Sequence, residues 1–368
     1  MRGMNTATES TSEAIAKANE AHQRAMPMTR LLDYGMDFAD ASALLARTSA
    51  GEPWAHVADE LARQRATAAD VAEARGFLVT AREERYRAIA AAVFAQMAFN
   101  FDGPEKWALY QSLIASCQAL VRVSDPPFER CQVPFGRKYM FGWLMRPAAT
   151  PAWGTVIVFG GQTGWGVAYL PVARALAQRR IATLLVEGPG QGETRMAQRI
   201  YLDVDTDKAY SAWVDLILAD TTLGRPGIWG NSYGGLWAAR TAAYDKRIIA
   251  CCVNGSFSVP GILPFRSAFE QSAAMLGTQE RVRIEQNFMR LRFDPDKNRI
   301  DCPLLVIHGG ADPLVRLEDQ QPFIAAATGR SILKVWPQGD HTIYNHGFER
   351  TAFAGDWFLE QFTCNGKN

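Results

Sequence analysis

The chain has 368 residues, enough for one large α/β domain and a second module. Its 39 basic and 38 acidic residues give a formal net charge of +1, which argues against nucleic acid or an anionic membrane as the main partner. No apolar run approaches the roughly 18 residues of a membrane span, and the first residues lack an apolar signal region. We therefore expect a cytoplasmic protein.

The first part of the chain has the pattern of helices without strands. Residues 1–25 are polar and rich in alanine, which predicts a frayed helix or a disordered segment. Apolar residues then recur at the three- and four-residue steps of one helix face: Leu31, Tyr34, Phe38, Ala41 and Leu45. Residues 26–125 are predicted to form an all-helical module. It is either a structural appendage or a lid over the site, and we favour the lid because lids exclude water from a reaction.

Two prolines at positions 126 and 127 mark the start of a catalytic domain predicted over residues 126–368, because prolines end helices. Beyond them, apolar strands alternate with helices, which indicates a mostly parallel sheet covered by helices on both faces. The predicted strands span residues 131–135, 139–145, 153–159, 181–187, 227–230, 248–253, 303–308 and 331–335. The predicted helices between and after them span residues 166–179, 209–219, 233–244, 317–327 and 348–362.

One segment of this domain, residues 257–300, is too long for a simple crossover between strands. Its apolar residues have helical spacing. We expect a helical insertion that helps to close the pocket.

The run Gly230-Asn-Ser-Tyr-Gly234 stands between a predicted strand and a predicted helix. Strand, Gly-x-Ser-x-Gly and helix, in that order, are typical of the nucleophile elbow, a turn so tight that bulky residues would clash two positions either side of the serine. Such a turn would lift the Ser232 hydroxyl above the sheet and place the Tyr233 N–H at the helix N-terminus. The alternative is a glycine-rich turn that happens to contain serine.

A nucleophilic serine needs a base, and the loop after the last predicted strand supplies His341, whereas His346 starts the last helix. The acid that orients the base is predicted to be Asp312, which follows the preceding strand. The order Ser232, Asp312, His341 is that of α/β-hydrolase triads, and residues that each follow a parallel strand meet at one edge of the sheet. Asp312 alone is also compatible with a plain Asp-Pro turn, and Asp340 is the alternative acid.

An oxyanion hole needs two backbone N–H donors. We expect Tyr233 to supply one and the glycine-rich loop 160–166 to supply the other, with Gln162 as the first candidate and Gly161 as the next. Neither this loop nor Gly188-Pro-Gly-Gln-Gly192 has a nucleotide-binding pattern. The two histidines nearest the predicted site are five residues apart, and no carboxylate set completes a metal site. We expect neither cofactor nor metal.

With these residues in place, the chain resembles the group of serine hydrolases that includes esterase FrsA-like proteins, 2,6-dihydroxypseudooxynicotine hydrolase and the fungal polyketide-shortening hydrolases. The resemblance covers most of the chain beyond about residue 25. It rests on the helical module, on Pro126-Pro-Phe-Glu-Arg130, on Glu187-Gly-Pro-Gly-Gln-Gly-Glu193 and on the three loops of the predicted triad. Members of the group usually have aspartate in place of Glu187. Within this group, 2,6-dihydroxypseudooxynicotine hydrolase, whose substrate is a pyridine, also uses a glutamate after the elbow helix. Residues 254–265 of this chain contain no equivalent glutamate.

The resemblance implies an α/β-hydrolase fold and hydrolysis, through an acyl-enzyme, of a carbon–carbon bond adjacent to a carbonyl. The implied substrates are small molecules such as aryl ketones, β-diketones and polyketides, and Trp165 and Tyr233 either line an aromatic pocket or belong to the core. The same triad would serve a carboxylesterase or an acyltransferase, so both remain alternatives. A non-catalytic binding protein on the same scaffold is a third class, which the intact serine, aspartate and histidine argue against. Homodimer formation is left open.

Overall fold

A computed structural model of the chain describes residues 3–162 and 164–364, with side chains from residue 12 onward. Three pieces of the predicted segments lie outside the described part: the first two residues of segment 1–25, Thr163 of the glycine-rich loop, and the last four residues of domain 126–368. The chain divides into two compact units between Ser124 and Asp125. No helix within the described ranges is long and apolar enough to cross a membrane.

The first unit, in the part that the structure describes, is built from helices. They span Gly3–Ala25 (α1), Met28–Asp33 (α2), Phe38–Ser49 (α3), Trp54–Ala74 (α4), Leu78–Met97 (α5) and Pro104–Val121 (α6). Every residue of α5 from 88 to 97 is buried, because α4 and α6 both pack against this helix. The indole N–H of Trp54 donates to the carbonyl of Phe94 at 3.0 Å, which ties the start of α4 to α5. The lid role of this unit stays a prediction.

The beginning of the chain belongs to this helical unit. Helix α1 occupies most of the segment predicted to be frayed or disordered, and it packs against α3. Its buried Asn19 donates to the carbonyls of Thr48 and Glu52, each at 2.8 Å. These bonds fix α1 against the end of α3.

The single helix predicted from Leu31 to Leu45 is wrong, because the structure has two helices there, α2 and α3. Gly35 lies between them with a φ of 91°, a left-handed conformation that glycine adopts at no steric cost. The Asp37 carboxylate then begins α3 by accepting a hydrogen bond from the N–H of Ala39 at 2.9 Å. Periodicity across the break therefore reports two short helices.

The second unit confirms the predicted α/β class. Its described strands are Phe128–Phe135 (β1), Lys138–Met145 (β2), Gly154–Phe159 (β3), Ile181–Glu187 (β4), Arg225–Asn231 (β5), Cys251–Asn254 (β6), Leu304–Gly309 (β7) and Ser331–Trp336 (β8). They form one eight-stranded sheet in the order β1-β2-β4-β3-β5-β6-β7-β8. The β1–β2 and β2–β4 pairs are antiparallel, and all other pairs are parallel. Strands β3, β4 and β7 are buried at every residue, which explains their continuous apolar sequences.

Helices follow most of these strands. They span Leu170–Ala177 (α7), Gly192–Met196 (α8), Thr206–Ala219 (α9), Tyr233–Tyr244 (α10), Arg266–Leu276 (α11), Arg281–Leu291 (α12), Gln321–Ala326 (α13) and Gly347–Cys364 (α14). The short helix α8 was not predicted. Helices α11 and α12 lie within residues 257–300, where the sequence predicts a helical insertion. Their part in closing a pocket stays a prediction.

Candidate active site

The turn after β5 has the geometry expected of a nucleophile elbow. Ser232 has a φ of 56°, which is uncommon for a residue with a side chain. A Cβ on Gly234 would lie 2.7 Å from the carbonyl oxygen of Gly160, and a Cβ on Gly230 would overlap the carbonyl group of Gly234. The N–H of Ser232 donates to the carbonyl of Asn254 at 2.8 Å. The turn therefore exists only because both flanking positions lack side chains.

His341 lies between the other two predicted residues. Its Nε2 is 3.0 Å from the Oγ of Ser232, and its Nδ1 is 2.8 Å from the Oδ2 of Asp312. The second oxygen of Asp312 accepts the backbone N–H groups of Leu314 and Val315 at 2.8 and 3.1 Å, which orients the carboxylate. An acceptor at Nδ1 holds the imidazole proton there and leaves the lone pair of Nε2 facing the serine hydroxyl. The structure thus brings Ser232, Asp312 and His341 together in one hydrogen-bonded chain.

Asp340, the alternative acid, has other contacts. Its N–H donates to the side-chain oxygen of Asn345 at 2.9 Å, and its carboxylate accepts the Asn345 N–H at 3.2 Å. These bonds join Asp340, just before the segment His341–His346, to Asn345 within that segment. The imidazole contact belongs to Asp312.

The loop that follows the histidine is strained. Thr342 and Ile343 have φ values of 53° and 66°, although β-branched residues rarely adopt such values. Two buried side chains hold the loop: Asn254 and Arg350 donate to the carbonyl of Thr342 at 3.1 and 3.0 Å. The same amide nitrogen of Asn254 donates to the side-chain oxygen of Asn231 at 2.8 Å. Asn254 therefore links the histidine loop to the serine turn.

Sequence reasoning missed Asn254 and Arg350. Asn254 ends β6 and Arg350 lies in the first turns of α14, and both are buried. A polar residue at the end of an apolar strand signals a buried hydrogen bond, because buried polar groups are nearly always paired. That signal gives no partner, and here the partner is a backbone carbonyl 88 residues away from Asn254.

The loop after β3 packs against the serine turn. A Cβ on Gly161 would lie 2.5 Å from the nitrogen of Tyr233 and 3.0 Å from the Cβ of Ser232. This loop and the Tyr233 N–H therefore lie side by side, as an oxyanion hole requires. The assignment of Gln162 as the second donor stays a prediction.

The side chains of Gln162 and Tyr233 both contact the segment between β6 and β7. The Gln162 amide donates to the carbonyl of Ala268 at 3.0 Å and to the hydroxyl of Ser272 at 2.6 Å, both in α11. The Tyr233 hydroxyl donates to the carbonyl of Gly261. Burial raises the pKa of Tyr233 to about 12, so the hydroxyl stays protonated and able to donate. The insertion is therefore attached to both predicted donors of the oxyanion hole.

Three aromatic side chains of the second unit are buried beside or within its strands and helices. Trp165 and the ring of Tyr233 are buried, which fits both a pocket wall and the core. His308, at the end of β7, is also buried, and desolvation lowers its pKa, so the neutral imidazole is favoured. Across the described residues, no group of three or more histidine, cysteine, aspartate and glutamate side chains is arranged to hold a metal ion.

The fold and the site now define a class of protein. Residues 151–354 match the model of the alpha/beta hydrolase family, and this match covers more than half of the chain. The chain therefore belongs to the alpha/beta hydrolase family and is a hydrolase. The resemblance predicted from the sequence is confirmed at this level.

Known proteins are similar to this chain over much of its length. The chain is 26% identical over 251 residues to 2,6-dihydropseudooxynicotine hydrolase of Paenarthrobacter nicotinovorans. The aligned region covers 66% of this chain and 67% of that protein. The crystal structure of 2,6-dihydroxy-pseudo-oxynicotine hydrolase superposes with a TM-score of 0.81 at 23% identity, over 92% of this chain and 96% of the other. AbyA5 superposes with a TM-score of 0.60 at 18% identity, over 82% and 88% of the two chains. At these identities the structural similarities establish the fold.

Proposed function

We propose that this protein is a serine hydrolase in which Ser232, His341 and Asp312 act as a catalytic triad on a carbon–carbon bond adjacent to a carbonyl. The proposal rests on the position of His341, which lies within hydrogen-bonding distance of both Ser232 and Asp312. A hydroxyl is almost un-ionised at neutral pH, and a base at this distance is what makes it nucleophilic. Family membership and the similarity to a hydrolase support the same chemistry.

The first step is acylation of the serine. Oγ of Ser232 attacks the substrate carbonyl carbon while Nε2 of His341 takes the hydroxyl proton. Asp312 holds the imidazole in position and stabilises the positive charge that forms on it. The negative charge moves to the carbonyl oxygen, where the N–H groups of Tyr233 and Gln162 are proposed to bind it. Donors of this kind stabilise charge that exists only in the transition state and the tetrahedral intermediate.

The second step breaks the bond to the leaving group. The electron pair of the carbon–carbon bond goes to the departing carbon, which is protonated by the imidazolium of His341. Such a carbon departs only as an enolate or as an electron-rich aromatic carbon, which restricts substrates to aryl ketones, β-diketones and polyketide-like molecules. Water then attacks the acyl-enzyme with His341 as base, and the released acid restores Ser232. An ester would follow the same path with an alkoxide as the leaving group.

The test is a paired assay of an aryl β-diketone and a matched aryl ester. We expect wild type to cleave both, and Ser232→Ala to lose on the order of 10⁴- to 10⁶-fold in kcat. The control is Ser112→Ala, which removes an exposed hydroxyl from α6 and should leave both rates unchanged. Circular dichroism of all three proteins checks that they are folded.

The outcomes separate the alternatives. Cleavage of the ester alone favours a carboxylesterase, or an acyltransferase if an added alcohol or amine captures the acyl group. Failure of a fluorophosphonate to label Ser232 would favour a binding protein. Residual turnover of Ser232→Ala within about tenfold of wild type would contradict the triad.

A further inference from the structure

Gln191 lies in the glycine-rich run after β4, a motif to which the proposed mechanism gives no role. Its side chain is 2% exposed, and its amide makes four hydrogen bonds. The nitrogen donates to the carbonyls of Gly160 and Gly161 at 2.7 and 2.8 Å. The oxygen accepts the N–H of Gly188 at 3.1 Å and the hydroxyl of Tyr210 at 3.4 Å.

These partners allow only one orientation of the amide. Two acceptors lie beside its nitrogen and two donors lie beside its oxygen, so a flipped amide would oppose like groups on both sides. The Tyr210 ring is stacked on Phe159 with ring centres 4.0 Å apart. Burial raises the pKa of Tyr210, which keeps its hydroxyl protonated. Gln191 is therefore a rigid clamp on the two peptide groups that begin the loop after β3.

The clamp determines where the N–H groups of that loop point. In a trans peptide the C=O and the following N–H point in opposite directions. Since the carbonyls of Gly160 and Gly161 face Gln191, the N–H groups of Gly161 and Gln162 face away from it. Gly161 is also the residue that abuts the Tyr233 nitrogen and Ser232. The loop is held from behind while its donors face the other side.

We infer that Gln191 is a positioning residue, which orients the second N–H donor of the oxyanion hole. This inference rests on the proposed serine-hydrolase function. It gives the Gly-Pro-Gly-Gln-Gly run a role in the reaction without contact to the substrate.

The first variant is Gln191→Glu, which keeps the shape of the side chain but removes its N–H donors. A carboxylate would face the two loop carbonyls, and repulsion would turn the peptide groups away. Loss of one oxyanion donor costs about 10²- to 10³-fold in kcat, so a displaced donor should cost on the order of 10- to 100-fold. KM should change little, because the donor acts mainly in the transition state.

The ratio of the turnover rates of two substrates distinguishes a positioning role of Gln191 from a general loss of structure. We would compare an aryl ester with the matching thionoester, in which sulfur replaces the carbonyl oxygen. A well-formed hole favours the small oxyanion, so wild type should prefer the ester. Gln191→Glu should lower the ester rate more than the thionoester rate and so reduce this preference. Loss of folded protein would lower both rates equally and leave the preference unchanged.

The matched control is Gln361→Glu, since Gln361 is also buried but donates within its own helix α14. It should keep the wild-type preference. Gln191→Asn serves as the second variant if Gln191→Glu does not fold, because it keeps the donors but withdraws them by one methylene. If a folded Gln191 variant keeps the wild-type preference for the ester over the thionoester, and Ser232→Ala is inactive, the inference about Gln191 is wrong. Activity of Ser232→Ala would instead overturn the proposed function.

Discussion

Two strained turns meet at the site, and they are held in opposite ways. Around Ser232, two glycines leave room for backbone that would otherwise collide. In the histidine loop, Thr342 and Ile343 keep branched side chains at positive φ, and hydrogen bonds from other elements hold the carbonyl between them. The serine turn is therefore encoded by adjacent residues, whereas the histidine loop depends on distant ones. Local space and long-range hydrogen bonding fix two parts of one site.

The largest effect is expected from adding one carbon to the serine turn. Gly230→Ala would push a methyl group into the carbonyl of Gly234, so the turn must open. We expect the free energy of unfolding to fall by about 3 kcal/mol and ester turnover to be lost. Urea unfolding and the ester assay measure both. Gly329→Ala is the control, since its Cβ would meet only the Asp301 carbonyl at 3.7 Å. Wild-type stability of Gly230→Ala would contradict the role of space in this turn.

The next effect is expected from removing a distant hydrogen bond. Asn254→Asp replaces a donor by a carboxylate at a fully buried position, where it would face the carbonyl of Thr342 and the side-chain oxygen of Asn231. We expect a loss of about 2 kcal/mol in the free energy of unfolding, because buried acceptors lose their donor. Turnover should fall with it.

Thermal unfolding and kcat are measured on the same protein. The control is Asn287→Asp, which makes the same substitution at a half-buried position of α12. If Asn254→Asp keeps the wild-type kcat, the loop does not depend on this bond.

A smaller effect is expected from removing a side chain in the histidine loop. Thr342→Gly keeps the carbonyl that accepts the bonds from Asn254 and Arg350. It also relieves the strain of positive φ, a gain that roughly offsets the greater flexibility of glycine in the unfolded chain. We expect the free energy of unfolding to change by less than about 1 kcal/mol and kcat to stay within about threefold. A large loss of kcat would mean that the side chain itself holds the loop.

The smallest effect concerns pH and His308, which lies just before the turn of Asp312. Desolvation lowers its pKa; Asp312, Asp319 and Glu318 oppose this shift and His341 adds to it. As the pH falls below the ordinary histidine value of about 6.5, the unfolded chain binds a proton that the folded chain disfavours. Stability should therefore decrease on acidification. The free energy of unfolding of wild type should drop more between about pH 7.5 and 5.5 than that of His308→Gln. An equal drop in both proteins would contradict this.

The parts of the fold that could be predicted are those in which neighbours in sequence decide the structure. Buried parallel strands appear as apolar runs, and the strand, the glycines and the helix around Ser232 stand within one short stretch. The order of Ser232, Asp312 and His341 along the chain then matched the order of strands at one sheet edge. In the structure the three side chains lie within hydrogen-bonding distance of one another through His341, and their catalytic role stays a prediction.

The rest depends on contacts that have no fixed spacing. Gly35 breaks a helix whose apolar period continues across it, because periodicity does not report φ. Asn254 and Gln191 look like ordinary polar residues in sequence, and only the fold brings their amides to the carbonyls they bind. A buried amide announces that a partner exists, but its identity is a property of the tertiary structure.

The position of Asn254 between the two turns also affects how the protein is chemically inactivated by heat. Asn254 precedes Gly255, and an Asn-Gly pair loses ammonia readily when the glycine nitrogen attacks the asparagine side chain. In the folded protein the N–H of Gly255 is bonded to the carbonyl of Ile307 at 2.9 Å, which withholds that nitrogen. An unfolded chain has no such protection. Loss of ammonia leaves a succinimide, which water opens to aspartate or isoaspartate, and either product lacks the amide donor that holds the histidine loop. Heat should therefore inactivate the protein irreversibly, with deamidation at Asn254 detectable by mass spectrometry only in molecules that have unfolded.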